Sequence, residues 1–314
     1  MAAALHHREI SALSIFTPML LVVALGGLSA AQIGLLGNNA PSMHVNPPET
    51  ITVAPREFSY RSHGEFFRGA IAVDGPIMTV RASALEIMKY EVTSVDYARC
   101  VADGACQAAE PEHAVTDGKV AVTGVSIVDA QDYAAWLSNR TDATWTLPTD
   151  EQLAFAAGSR FPDDGLGDSA DSRNPAIRWL ADYDREAARK SAANPIPQVS
   201  GYFGENEFGL ADFAGNVWEW TTTCNRRVNL DHPGAADEDS CGVYLAVGKH
   251  RSPMSFFIRN PKGGGCSVGA PPENLGFRLV RDGNWYVPYL QWFKRTLGIG
   301  AVSGDAGATI GQRN

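Results

Sequence analysis

Cys100 and Cys106 flank a five-residue segment whose Asp103-Gly104 can turn the chain so that the two sulfurs meet. Cys224 and Cys241 enclose a polar loop containing Gly and Pro, and closing a loop of that size is worth about 3 kcal/mol in the chain-entropy account. The spacing therefore favours two disulfides, Cys100–Cys106 and Cys224–Cys241. It leaves Cys266, in Gly263-Gly264-Gly265-Cys266-Ser267, as a single thiol, either reactive or buried and inert. Zinc is the alternative use of these cysteines, but it wants four ligands at set spacings. No Cys-x2-Cys or His-x3-His accompanies them. A different chemistry is available at Asn216 and Glu219, in Gly215-Asn216-Val217-Trp218-Glu219-Trp220. One carboxylate with the carbonyls of a tight turn is the hard oxygen set that calcium takes. The competing reading is that Glu219 only accepts hydrogen bonds inside the fold.

Disulfides need an oxidising compartment, and the N-terminus offers the route to one. Ile10 to Leu36 contains no Asp, Glu, Lys or Arg, and a bilayer core needs about 20 mostly apolar residues as helix. Arg8 is the positive flank, offset by Glu9. That pattern keeps the N-terminus in the cytoplasm and exports the rest. The expectation is a single-pass inner-membrane protein with its domain in the periplasm. Cleavage at the small residues Ser29-Ala30-Ala31 is the alternative, giving a secreted or periplasmic protein. Four segments follow: 1–36 anchor or signal peptide, 37–50 linker, 51–282 domain, and 283–314 C-terminal segment. The last opens with Trp285-Tyr286-Val287-Pro288-Tyr289 and Trp292-Phe293-Lys294-Arg295. Such aromatics followed by cations suit a membrane interface, a partner's groove, or a helix packed on the domain. Ser303 to Asn314 reads as a disordered tail. A net charge of −9 and the lack of any Lys/Arg run exclude a phosphate-tracking nucleic-acid binder.

The elements that must position these groups are short. Ile51-Thr52-Val53, Ile77-Met78-Thr79-Val80 and Met88 to Thr93 read as strands, with Ser94 capping a helix through Cys100. Ser126–Asp129 and Thr149–Gln152 are capping boxes opening two helices. Gly158 to Gly209 shows little periodicity. Strands and helices do not alternate as a doubly wound sheet requires, so the class is α+β with much irregular structure. Trp218 and Trp220 read as core, and Arg278 as the partner of a buried carboxylate.

The order of segments is itself informative. Lys89-Tyr90-Glu91-Val92-Thr93 is followed by Val122-Thr123-Gly124-Val125-Ser126, then Leu147-Pro148-Thr149-Asp150-Glu151. Phe208-Gly209-Leu210-Ala211-Asp212-Phe213-Ala214 leads into Gly215–Trp220, and Asn274-Leu275-Gly276-Phe277-Arg278 closes the series. From about Ile51 to Asp282 this resembles the formylglycine-generating enzyme (sulfatase-modifying factor) family. The resemblance implies a variant of the C-type lectin fold. It also implies a structural calcium held by the Glu219 carboxylate and the carbonyls of Asp212, Gly215 and Val217.

The family's enzymes oxidise a substrate cysteine with two nearby cysteines that bind Cu(I), a soft metal suited to thiolates. The corresponding stretch here, Gly248 to Arg259, contains no cysteine. His250 and Met254 lie in it, and imidazole and thioether are copper ligands; a packing role is the plainer reading. The family's iron-dependent sulfoxide synthases carry their His ligands in a helical domain for which this chain has no room. Three functions follow as expectations. The first is a non-catalytic accessory or maturation factor for a periplasmic protein partner, a reading to which Gly263 to Pro272 adds a similarity to the subgroup encoded beside copper nitrite reductases. The second is an oxidoreductase with a non-standard site built on Cys266 and His250. The third is a lectin-like surface module.

Overall fold

Short β-branched and aromatic runs broken by Gly and Pro make most of the strands brief, and the strands divide among three sheets. The computed structural model describes residues 45–113, 117–141, 143–167, 173–190, 196–231, 238–264 and 274–282. The chain divides into two units, Met1–His44 and Val45–Asn314, and all described residues lie in the second. Ile10–Leu36, Cys266, and the aromatic and tail segments from 283 onward fall outside the described residues. Among those described, no helix is long and apolar enough to cross a membrane.

Six strands come first: β1 (Thr50–Val53), β2 (Arg56–Arg61), β3 (Glu65–Arg68), β4 (Ile71–Val73), β5 (Ile77–Ala82) and β6 (Leu85–Met88). Helices α1 (Ser94–Ala102) and α2 (Ile127–Thr141) follow, then β7 (Thr144–Thr146), α3 (Asp150–Ala157) and α4 (Pro175–Lys190). The remainder is strand: β8 (Trp218–Asn229), β9 (Glu238–Val247), β10 (Arg251–Ser255), β11 (Leu275–Gly276) and β12 (Val280–Asp282). One sheet runs β1-β6-β12-β7 and a second β10-β9-β8-β3-β4, with β11 also paired to β8 and a separate pair β2-β5. Because β12 inserts between β6 and β7, the last strand closes on the first ones. The architecture mixes few helices with several small sheets, in line with the α+β class expected.

Two apolar clusters fill the interior. Tyr97, Tyr133, Trp136, Trp218, Trp220 and Phe277 belong to the first; Ile87, Leu153, Phe155, Leu210, Phe213 and Leu245 belong to the second. Trp220 is fully buried and its indole N–H donates to the Val125 carbonyl at 2.9 Å, satisfying the one polar atom of a core tryptophan. Cys100 is bonded to Cys106 just beyond the end of α1, with Cα atoms 5.3 Å apart. Cys224 is bonded to Cys241 across the β8–β9 ladder, at 4.9 Å.

Three local expectations need correction. The strand read over Met88 to Thr93 ends at Met88. The alternation of Met88, Tyr90 and Val92 is present, yet the backbone of 89–92 bonds to Glu49, Val122, Ala211 and Phe277 in separate segments, not to one neighbouring strand. The cap of α1 is Thr93, whose hydroxyl accepts from the Asp96 amide at 3.2 Å, and Ser94 is the first helical residue. Within Gly158–Gly209, where little periodicity was visible, the chain forms α4, sixteen residues opening with Pro175. Proline at the first helical position loses no hydrogen bond there. Both capping boxes are present, Thr149 with Gln152 and Ser126 with Asp129.

Candidate functional site

The segments that stand apart in sequence meet on one buried guanidinium. β11 runs parallel to β8 with Leu275 opposite Trp218 and Gly276 opposite Glu219. That register brings Arg278, two residues on, to the Glu219 carboxylate. Arg278 Nε donates to Glu219 Oε2 at 2.6 Å and Nη2 to Oε1 at 2.8 Å, a two-point fork. Nη1 donates to the Met88 and Lys89 carbonyls at 3.2 and 2.8 Å, and Nη2 also to Ala211 at 2.9 Å. All five N–H donors of the guanidinium are used. Arg278 thus fastens three segments, 88–89, 211 and 219, that no single sheet joins.

Glu91 completes the cluster, with Oε1 3.6 Å from Arg278 Nη2. Its carboxyl is buried and no other residue donates a hydrogen bond to either oxygen. Burial pushes its pKa up to about 8, with Glu219 and Asp212 adding to the rise and Arg278 opposing it. Burial also raises Glu219, but the fork of N–H donors holds that carboxyl ionised, so the proton belongs on Glu91. Asp212 sits at φ 63° and Ala214 at φ 62°, a left-handed conformation that Asp tolerates and Ala adopts at a cost. The Asp212 carboxylate makes the turn possible by accepting from the amides of Gly201 at 2.5 Å and Phe203 at 2.8 Å.

As placed, these groups do not fit the calcium that the resemblance implies. A hard cation takes carboxylate and carbonyl oxygens that are free to face it. Both of Glu219's are occupied by Arg278, both of Asp212's by backbone amides, and the Asp212 carbonyl accepts from Gly215 at 3.0 Å. The guanidinium already supplies the positive charge at Glu219. Chelation with EGTA, read by thermal unfolding, is accordingly expected to leave Tm unchanged; a fall of several degrees would show a cation bound there in place of this arrangement. Among the described residues, no group of three or more His, Cys, Asp or Glu is placed to hold a metal ion.

The other sequence candidate, His250, lies in a polar cavity of about 170 Å³ that also receives Arg61, His63, Asp74, Asp164, Arg178 and Arg251. His250 meets Trp218 edge to face at 5.3 Å, and Gly248 is required because a Cβ there would come 2.8 Å from the same indole. Met254 is 2% exposed and part of the first apolar cluster, with Ser252 Oγ 3.6 Å from its sulfur. It serves as packing.

Arg251, which the sequence did not single out, organises the cavity wall. Its Nε donates to Asp164 at 2.9 Å, Nη1 to the Arg61 carbonyl at 2.6 Å, and Asp150 lies at 3.4 Å. Burial pushes Asp150 up to about 6 against the pull of Arg251. It pushes the His63 imidazole down to about 3, with Arg251 reinforcing the fall. Position 150, inside a capping box, was the one visible signal.

A larger concavity of about 340 Å³ opens beside β2, lined by Phe58, Tyr60, Phe161 and Phe208 with Arg56 among them. The Arg56 guanidinium is sandwiched 4.2 Å from the Phe155 ring and 4.0 Å from Phe208.

A mixed helix-and-strand domain with these motifs clustered on one arginine defines a formylglycine-generating-enzyme-like protein. Residues 37–283 match the sulfatase-modifying factor enzyme 1-like domain, and the chain belongs to that family. It is 30% identical over 164 residues to inactive C-alpha-formylglycine-generating enzyme 2 of Bos taurus, a match covering 51% of this chain and 49% of that one. It is 36% identical over 107 residues to the formylglycine-generating enzyme of Mycobacterium tuberculosis, covering 32% and 33%. The chain thus spans about half the length of the inactive-enzyme relatives it matches. Among solved structures, PvdO from Pseudomonas aeruginosa aligns with a TM-score of 0.49 at 20% identity, covering 75% of this chain and 94% of that one.

Proposed function

We propose that this chain is a non-catalytic member of its family, exported and held at the inner membrane, acting as an accessory or maturation factor for a protein partner. The observation that carries the reading is the make-up of β10 and its flanks. Gly248 to Arg259, where the family's cysteine pair belongs, presents Ser252 and Met254 to the interior and has no thiol. Four of the five cysteines are bonded to one another, and one leftover thiol cannot hold Cu(I) as a pair does. Two relatives that bear the word inactive in their names support the same direction. The two disulfides suit a compartment outside the cytoplasm, and the charge-free Ile10–Leu36 supplies the tether.

The test uses the full chain purified from membranes. Intact mass after alkylation without reduction should show one labelled site, at Cys266. Incubation with Cu(I), oxygen and a cysteine peptide of the kind sulfatases carry should yield no aldehyde, while a family enzyme with both cysteines converts the peptide in parallel. Turnover by this chain, or three or more labelled thiols, would overturn the non-catalytic reading.

A further inference from the structure

Helix α4 is amphipathic, and it is docked with its polar side inward. At 100° per residue Arg178, Asp182 and Arg185 share one face, and this face meets the domain. Arg178 Nη2 lies 2.6 Å from Asp74 Oδ1, and Asp74 is itself fixed by the amides of Leu166 and Gly167, each at 2.8 Å. Arg185 donates to the Asp164 carbonyl at 2.5 Å and pairs with Asp182. The opposite face carries Ala176, Leu180, Tyr183 and Ala187 as a ridge, flanked by Trp179 and Ile177. Ile177, Trp179, Leu180 and Tyr183 are 44%, 56%, 53% and 60% exposed. A surface helix ordinarily turns such a stripe to the core and its charges to water. Four large apolar side chains held outward on one helix by ion pairs on the other side make an exposed patch that folding does not explain.

The shape and charge of the ridge select its occupant. Side chains at i, i+4, i+7 and i+11 form the convex profile that enters an apolar groove, and Trp and Tyr are the residue types that carry the binding energy of protein interfaces. A bilayer is the poorer match. Interfacial helices set several cations beside their apolar face to meet anionic headgroups, whereas here Arg178 and Arg185 point the other way and the sequence places a single cation, Lys190 at the helix end, on the apolar side. Asp184 lies exposed on the apolar face itself, between Leu180 and Ile177, and the chain's net charge is −9.

We propose that α4 is a docking helix, seating this chain in an apolar groove of a partner protein whose rim carries Lys or Arg opposite Asp184. The proposal rests on the accessory reading and names the surface that would serve it.

Photo-crosslinking of the full chain in its native host tests it, with p-benzoylphenylalanine placed at Leu180 or, in a separate strain, at Phe257, which is 63% exposed in the segment after β10. The expected result is a single protein adduct from position 180, mapping to a peptide that combines apolar residues with Lys or Arg. Adding Trp179→Ala and Tyr183→Ala should cut that adduct at least tenfold while Tm stays unchanged, because both side chains are exposed. A phospholipid adduct, a crosslink within this chain or to a second copy, or no adduct at 180 would overturn the proposal. Protein capture at 257 without capture at 180 would leave the accessory reading standing and remove the docking helix. Silence at both positions would remove both.

Discussion

Arg278→Met is expected to destabilise the domain by about 4 kcal/mol or more, measured as a shift in urea midpoint at unchanged m-value. Removing one partner of a buried ion pair costs on the order of 3–5 kcal/mol, because the other charge stays buried without compensation. Here the stranded partner is Glu219, 0% exposed. The Met88 and Ala211 carbonyls each lose a donor in the same step, while Lys89 keeps its bond from the Ala211 amide, and a buried acceptor left bare adds about 1–3 kcal/mol before relaxation. A domain with a total stability of about 5–15 kcal/mol has little margin for such a loss. The double variant Arg278→Met with Glu219→Gln removes the stranded charge and should recover part of the cost. If the single change cost under about 1 kcal/mol, Glu219 would have to be solvated or neutralised by something other than this arginine, and the arrangement described here would be wrong.

That cluster also shows how far the sequence could be read. Lys89–Thr93, Gly215–Trp220 and Gly276–Arg278 are visible as motifs, and an arginine after Gly-Phe invites a carboxylate partner. What the sequence could not show is that the partner is Glu219, because the contact depends on β11 pairing in parallel with β8 over two residues. Glu91 was visible only as a letter in a motif. Its significance comes from desolvation and the absence of donors from other residues, which are properties of the assembled interior. Asp150 and Arg251 are about a hundred residues apart and meet only through the fold. The disulfides were legible because near neighbours in sequence were near in space. Helix α4 escaped for the opposite reason. Its cues, Pro175 at the first position and the spacing of Ala176, Leu180, Tyr183 and Ala187, sit among Asp, Asn and Gly and point away from the core. A search for inward-facing periodicity passes over such a helix.

Glu91→Gln is expected to stabilise the domain at pH 8 and to change it little at pH 5. In the unfolded chain the Glu91 carboxyl titrates near 4.5, and in the folded one near 8. Between those values the native state holds a proton that the unfolded state has released. Stability therefore falls as pH rises, by up to about 1.4 kcal/mol per unit, and levels off above the folded value. This is the reverse of an ordinary paired carboxylate, which gains stability over its titration range as pH rises. Glutamine keeps the shape and has no proton to lose, so the slope disappears. The difference between variant and parent should grow by on the order of 3 kcal/mol from pH 5 to pH 8. Urea midpoints of both proteins at pH 5, 6.5 and 8 read this directly. Parallel curves would mean that Glu91 is ionised throughout. One guanidinium would then face two buried carboxylates, and a second cation would be required beside Arg278.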